Sequence, residues 1–189
     1  MVDMVQRLTY HDLHSIPQER EGDRHEIIDG ELVVTPSPSW HHQAISESLG
    51  FALQTFVRAN GLGKVAFAPV DVRLTPDNVL IPDIIFIARD RLHVAGPKTV
   101  DAPPDIAIEI LSPGTRRRDL TEKRDLYAQF GVREYWIVDP ANRTVTVFER
   151  VGRMYQPVPA GPEGEIRSRV LPDFALPLAA VFEDVSPGE

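Results

Sequence analysis

The chain has 189 residues, 42% of them hydrophobic and 25% charged, the balance of one globular domain long enough to bury a core. It contains no cysteine, which excludes a disulfide framework and a thiolate site; its apolar runs are too short to span a bilayer, residues 1–20 lack the pattern of a signal peptide, and a reducing cytoplasm is the expected home. The net charge of -8 argues against indiscriminate nucleic-acid binding, which needs a cationic face.

In chain order, Thr9 is positioned to cap a short helix over 10–15. Stretches 25–29 and 31–35 flank Asp29-Gly30, a strong hairpin signal. The run Thr35-Pro36-Ser37-Pro38-Ser39 breaks regular structure and sets a cap before a helix over 41–60. Its apolar positions Ile45, Leu49, Ala52, Leu53 and Phe56 recur three and four apart. Strands are expected at 64–68, 70–74 and 84–88, the last two joined by a turn at Thr75-Pro76-Asp77-Asn78. A polar connection over 89–102 leads to an apolar strand at 106–111. Ser112-Pro113-Gly114-Thr115 then starts a helix that runs through Phe130 and stops at Gly131. Strands at 134–138 and 144–149 follow, separated by Asp139-Pro140-Ala141-Asn142. A β-like tail and a last helical turn within 176–182 complete the body. The order of hairpin, helix, strands, helix, strands indicates an α/β fold with a mixed sheet flanked by helices. One domain over 1–185 is expected, with 186–189 as a disordered tail.

Two carboxylates stand where a charge is expensive. Asp83 follows Pro82 and opens the run Ile84-Ile85-Phe86-Ile87; read alone, it is either a strand boundary or a ligand. Glu109 interrupts the apolar strand 106–111. An ionised glutamate is seldom buried unpaired, so Glu109 either meets a cation or lies on an edge strand in water. Alternation sets Asp105, Ala107, Glu109 and Leu111 on one face, and Ile106, Ile108 and Ile110 on the other. The isoleucine face reads as core and the Glu109 face as cleft.

Lys123 is one of only three lysines against seventeen arginines. It lies in a segment where arginine is otherwise the chosen cation, and unlike arginine it can release its proton or orient a water. At helical spacing it shares the stripe of Leu120, Tyr127 and Phe130 and so points toward the sheet; the alternatives are a lysine snorkelling at the stripe's edge, or Arg124 as the inward cation. Two hard oxygen ligands bind Mg²⁺ or Mn²⁺ while leaving positions for water and phosphate, and a nearby ammonium stabilises a pentavalent phosphoryl transition state. Asp83, Glu109 and Lys123 together are therefore the kit for metal-assisted phosphodiester cleavage. Glu26, inside the apolar hairpin, and His42, on the apolar helix stripe, are candidate helpers; for His42 alone a structural role is the better reading. His41-His42 lacks partners at zinc spacing. Arg116, Arg117, Arg118 and Arg124 are candidate phosphate contacts, or else a solvated face. From Arg89 to Arg133 there are nine Lys/Arg and seven Asp/Glu, so this segment is the basic part of an acidic molecule.

At these residues the sequence resembles the Uma-type endonuclease family, a branch of the PD-(D/E)xK restriction-endonuclease-like superfamily. The matching stretches are Tyr10-His11-Asp12-Leu13, Glu26-Ile27-Ile28-Asp29-Gly30-Glu31-Leu32, Pro36-Ser37-Pro38 with His42-Gln43, and Pro82-Asp83-Ile84. They continue in the segment from Pro104 to Pro113, in Lys123 with Tyr127, and in the segment from Gly131 to Pro140. The resemblance implies a restriction-endonuclease-like mixed sheet, Asp83 and Glu109 as ligands of Mg²⁺ (or Mn²⁺), DNA as substrate and a homodimer. The lysine expected two residues after the glutamate is Leu111 here, and the resemblance suggests that Lys123 has taken its role. The expected function is Mg²⁺-dependent DNA endonuclease; the alternative is a nuclease-fold binding module without turnover.

Overall fold

A computed structural model of the chain describes residues 7–13, 15–17, 20 and 22–183; the tail expected over 186–189 lies outside them. A short helix α1 (Tyr10–Leu13) precedes the hairpin β1 (Arg24–Ile28) and β2 (Glu31–Thr35). The long helix α2 (Trp40–Ala59) is followed by β3 (Gly63–Phe67), β4 (Asp71–Thr75), β5 (Asn78–Leu80) and β6 (Ile84–Ala88). A 3-10 turn at Arg89–Val94 leads to β7 (Thr99–Val100) and β8 (Ile106–Ile110), then to helices α3 (Arg116–Leu120) and α4 (Glu122–Phe130). Strands β9 (Glu134–Asp139), β10 (Thr144–Val151) and β11 (Met154–Pro157) form a meander, and β12 (Ile166–Arg167), β13 (Ala175–Leu176) and α5 (Leu178–Val181) close the body.

The strands make two principal sheets. The larger has six strands in the order β11-β10-β9-β8-β6-β3. Its β8–β9 pair is parallel and its other pairs are antiparallel, so the sheet is mixed, as its sequence order indicates. The smaller sheet runs β2-β1-β5-β4-β7. No helix of the described residues is long and apolar enough to cross a membrane.

Local chemistry explains the main elements. Asp29 and Gly30 both take positive φ, 50° and 79°, the backbone that a two-residue hairpin with the right twist requires. Ser39 caps α2 by accepting the His42 amide at 3.2 Å. Ile45, Leu49, Leu53 and Val57 of α2 bury against Ile84, Phe86, Ile106, Ile108, Ile110 and Trp136, each such side chain stabilising the fold by about 1.5–3 kcal/mol. The isoleucine face of β8 is thus core, as alternation requires. On the opposite face Ala107, Leu111, Leu126, Tyr127, Val132 and Tyr135 pack with Ile28 and Leu80. The second face of β8 is therefore buried as well, and the cleft expected there is a closed interior.

Two expected elements differ in detail. Asn78 starts a strand of its own, so the turn at 75–78 closes a β4–β5 hairpin in the smaller sheet, and Ile81-Pro82-Asp83 carries the chain across to β6 in the larger. The single helix expected through Phe130 is broken at Thr121 (φ -125°, ψ -84°). The Thr121 hydroxyl donates to the Arg117 carbonyl at 2.7 Å, a back-bond that bends helices.

Candidate active site

The two sheets meet where β6 and β8 leave the α2 core. Register fixes the first pair of acids. Ile84 pairs with Ile108, so one step further Asp83 stands opposite Glu109, and opposed antiparallel residues point to the same side. Asp83 Oδ2 accepts the amide of Ile110, next to Glu109, at 2.8 Å. Its Oδ1 takes Arg24 Nη1, from the start of β1, at 2.6 Å. His42 Nε2, in the capped first turn of α2, lies 3.1 Å from Oδ2. Burial alone would raise the Asp83 carboxyl, but His42 and Arg24 outweigh it and hold it below the usual carboxylate range.

Glu109 is 3% exposed, on a central strand, so the edge-strand alternative fails. Its Oε1 accepts from Lys123 Nζ at 3.0 Å and from the Tyr127 hydroxyl at 2.9 Å. The break at Thr121 turns α4 so that Lys123 and Tyr127, one helical turn apart, face β8 together. Lys123 is itself 3% exposed, pointing inward rather than snorkelling. It also reaches Glu26 Oε1 at 2.8 Å and lies 3.7 Å from Asp119 Oδ1. Glu26 is held in turn by the Ile81 amide, 2.7 Å from the same oxygen. Arg124 does not compete for the interior: its guanidinium lies 4.6 Å from the centroid of the Phe148 ring.

Charge is crowded here. Four buried carboxylates, Glu26, Asp83, Glu109 and Asp119, face one ammonium and one guanidinium. Burial works against the Lys123 ammonium, but Glu109, Glu26 and Asp119 overcome it and hold the lysine protonated beyond its ordinary range. Glu109 is the acid that gives way: burial raises its carboxyl well above the usual value against the pull of Lys123, and Asp119, Asp83 and Glu26 push it further. Asp119 is raised too, mainly by burial, and its Oδ1 is buried with no hydrogen-bond partner.

This donor set suits a hard dication. The oxygens are carboxylate, the negative charge is in excess, and Oε2 of Glu109 takes part in neither of the bonds made by Oε1. Among the described residues no three Asp, Glu, His or Cys side chains are placed to hold a metal ion by themselves. Asp83 and Glu109 are the pair that could hold an ion, with water and phosphate completing its shell.

The five residues singled out for chemistry fall in two clusters, Asp83 with His42 and Glu109 with Lys123 and Glu26, which the β6–β8 register sets side by side. Of the arginines, Arg116 pairs with Asp139 at 2.8 Å and Arg117 with Glu122 at 3.3 Å, both with exposed side chains, and Arg118 is half-buried. Arg24, Asp119 and Tyr127 complete the two clusters; the sequence marks Tyr127 on the Lys123 stripe but gives none of the three a chemical role. Asp119 and Tyr127 were within reach of the sequence, four residues before and after Lys123 on a helical stripe. Arg24 had no such signal.

A mixed sheet carrying such a carboxylate–lysine cluster at the mouth of adjacent strands defines a restriction-endonuclease-like fold of the nuclease class. The family Uma2, described as "Putative restriction endonuclease", matches residues 9–179, and the chain belongs to that family. Among solved structures, a crystal structure of a "putative nuclease belonging to DUF820" from Anabaena variabilis ATCC 29413 superposes with a TM-score of 0.75 at 20% identity, covering 93% of this chain and 98% of that one. No curated protein matches the sequence.

Proposed function

We propose that the chain is a Mg²⁺-dependent endonuclease that hydrolyses phosphodiester bonds of DNA, with Asp83 and Glu109 holding the ion and Lys123 as the catalytic cation. The observation that supports this reading is the β6–β8 register that sets Asp83 opposite Glu109, with the buried Lys123 Nζ 3.0 Å from Glu109 Oε1. Bound between Asp83 and Glu109, Mg²⁺ or Mn²⁺ supplies polarisation of the scissile phosphate and a lowered pKa for the attacking water.

The chain's own residues do the rest. Lys123 is held protonated, so its part is electrostatic: it stabilises the charge that gathers on the phosphoryl oxygens and does not act as base. Glu26 fixes the ammonium from the far side, and Tyr127 orients Glu109 by donating to Oε1. His42 and the Ile110 amide lock Asp83 Oδ2, leaving Oδ1 with Arg24. Arg24, at the edge of the cluster, is suited to leave Asp83 for a substrate phosphate, which its planar fork matches. One site per chain cuts one strand. A homodimer is the assembly that would cut both, and sedimentation at working concentration tests it.

The test is nicking of plasmid DNA with Mg²⁺ or Mn²⁺. Asp83→Ala and Glu109→Ala proteins that keep the wild-type circular dichroism are expected to lose at least about a hundredfold in rate, the scale of removing one electrostatic contributor. Failure of the wild-type chain to cut any DNA with either metal would favour the second reading, a nuclease fold that binds without turnover. That reading draws on the ion pairs that Arg24 and Lys123 already make with Asp83 and Glu109.

A further inference from the structure

Beside Asp83 lies a cavity of about 390 Å³, within the size range of small-ligand pockets. Its lining includes Arg24 and Asp83, the rings of Phe51 and Phe67, and the side chains of Gln43 and Gln54. A second cavity of about the same volume, 390 Å³, shares Glu47 and Phe51 with the first and is also lined by Trp40. Six large apolar side chains are exposed among the described residues, and the three aromatic ones line these two cavities: Trp40 is 82% exposed, Phe51 71% and Phe67 37%. The arrangement is built in. Gly50 lets the Phe67 ring rest on α2, since a Cβ there would overlap the ring.

Resting on the nuclease reading, the geometry points to a track for unpaired DNA bases: we propose that Phe67, Phe51 and Trp40 stack successive unstacked nucleobases of the strand whose phosphate sits at Asp83 and Arg24. Every base has a π-face, so a row of aromatics spaced along a groove grips a single strand without regard to sequence. Glu47, between the two cavities, repels a phosphate there and accepts from exocyclic amino groups, so the bases turn inward and the backbone outward. Gln43 and Gln54 offer a donor and an acceptor each to a base edge. A paired duplex cannot occupy the track, because its base faces are already stacked.

The test uses the whole chain and a single-stranded DNA oligonucleotide bearing 2-aminopurine, with its perfect duplex alongside, bound in EDTA so that no cutting occurs. The single strand is expected to bind at least about tenfold tighter than the duplex. It should also quench the emission of Trp40, identified by its loss in Trp40→Phe; Trp136 is fully buried. Phe51→Ala, an exposed substitution, should weaken single-strand binding about 5- to 150-fold, the scale of one stacked base, while Met154→Ala, equally exposed on β11, changes nothing. Equal affinity for duplex, or full single-strand binding by Phe51→Ala, overturns the proposal. So does a dimer that Phe51→Ala splits while oligonucleotide binding persists, since the face would then belong to a second copy. Phe51-dependent binding without cleavage in Mn²⁺ would defeat the nuclease reading alone. Cleavage that ignores Phe51 would defeat the track alone.

Discussion

Lys123 holds together a set of charges that could not otherwise share one interior. Its ammonium touches Glu26 and Glu109 and lies near Asp119. Breaking a buried pair by removing one partner costs about 3–5 kcal/mol, because the remaining charge has no compensation. Lys123→Met is therefore expected to destabilise by about that amount in urea unfolding. Adding Glu109→Gln to it should restore part of the loss, since the double variant buries less unpaired charge; a double variant less stable than either single one would refute this account. The residues of the network were visible in the sequence wherever a charge interrupted an apolar pattern: Glu26 in its strand, Glu109 in its strand, Lys123 on its stripe. Arg24 stayed hidden because it opens its strand between a polar loop and His25, where an arginine attracts no notice. Its role exists only through a contact 59 positions away.

Elements were legible in proportion to their length. α2 reads from periodicity and β6, β8 and β9 from apolar or β-branched runs, whereas β5 and β7, three and two residues long, are too short to carry such a signal and take their strand character from their neighbours. Two carboxylates tie such neighbours together. Glu134 on β9 accepts from the Ser168 hydroxyl at 2.7 Å, from the Val170 amide at 3.1 Å, from the Arg169 amide and from Trp136 Nε1, fastening the C-terminal segment to the sheet. In Glu134→Ala these donors lose their acceptor at about 1–3 kcal/mol each. Amide exchange across 166–176 should accelerate far more than in β8, and uniform protection across both would contradict the fastening role. Asp139 closes the β9–β10 turn by accepting from Asn142 and Arg116. Burial tends to raise its carboxyl, but those bonds to Asn142 and Arg116 hold it below its usual value. The stability it contributes is thus present above the unfolded carboxylate value near 3.8 and is lost as pH falls through the lower folded value. Asp139→Asn should cost about 1–2 kcal/mol at pH 7, with the deficit shrinking in acid. A deficit that holds constant down to pH 2 would show that the turn does not depend on the charge.

At the scale of the molecule, the proposed reaction brings an acidic chain of net charge -8 to an acidic polymer, so phosphate contacts cannot supply affinity broadly. The proposed track would concentrate binding at the site and its aromatic face. A negatively supercoiled plasmid stores torsional stress that unpairs short stretches, and such stretches can enter a track meant for unstacked bases. The first nick releases that stress. Supercoiled plasmid with Mg²⁺ is therefore expected to convert to open circle, which accumulates, with linear product late and rising more steeply than the first power of protein concentration. EDTA should abolish both steps, because the excess negative charge around Glu109 then has no cation to turn it to use. Relaxed closed circles should be cut several-fold more slowly than supercoiled ones under the same conditions. Equal rates on relaxed and supercoiled DNA, or linear product appearing first, would mean that the chain engages intact duplex directly. The exposed aromatics of α2 would then have no part in choosing where it cuts.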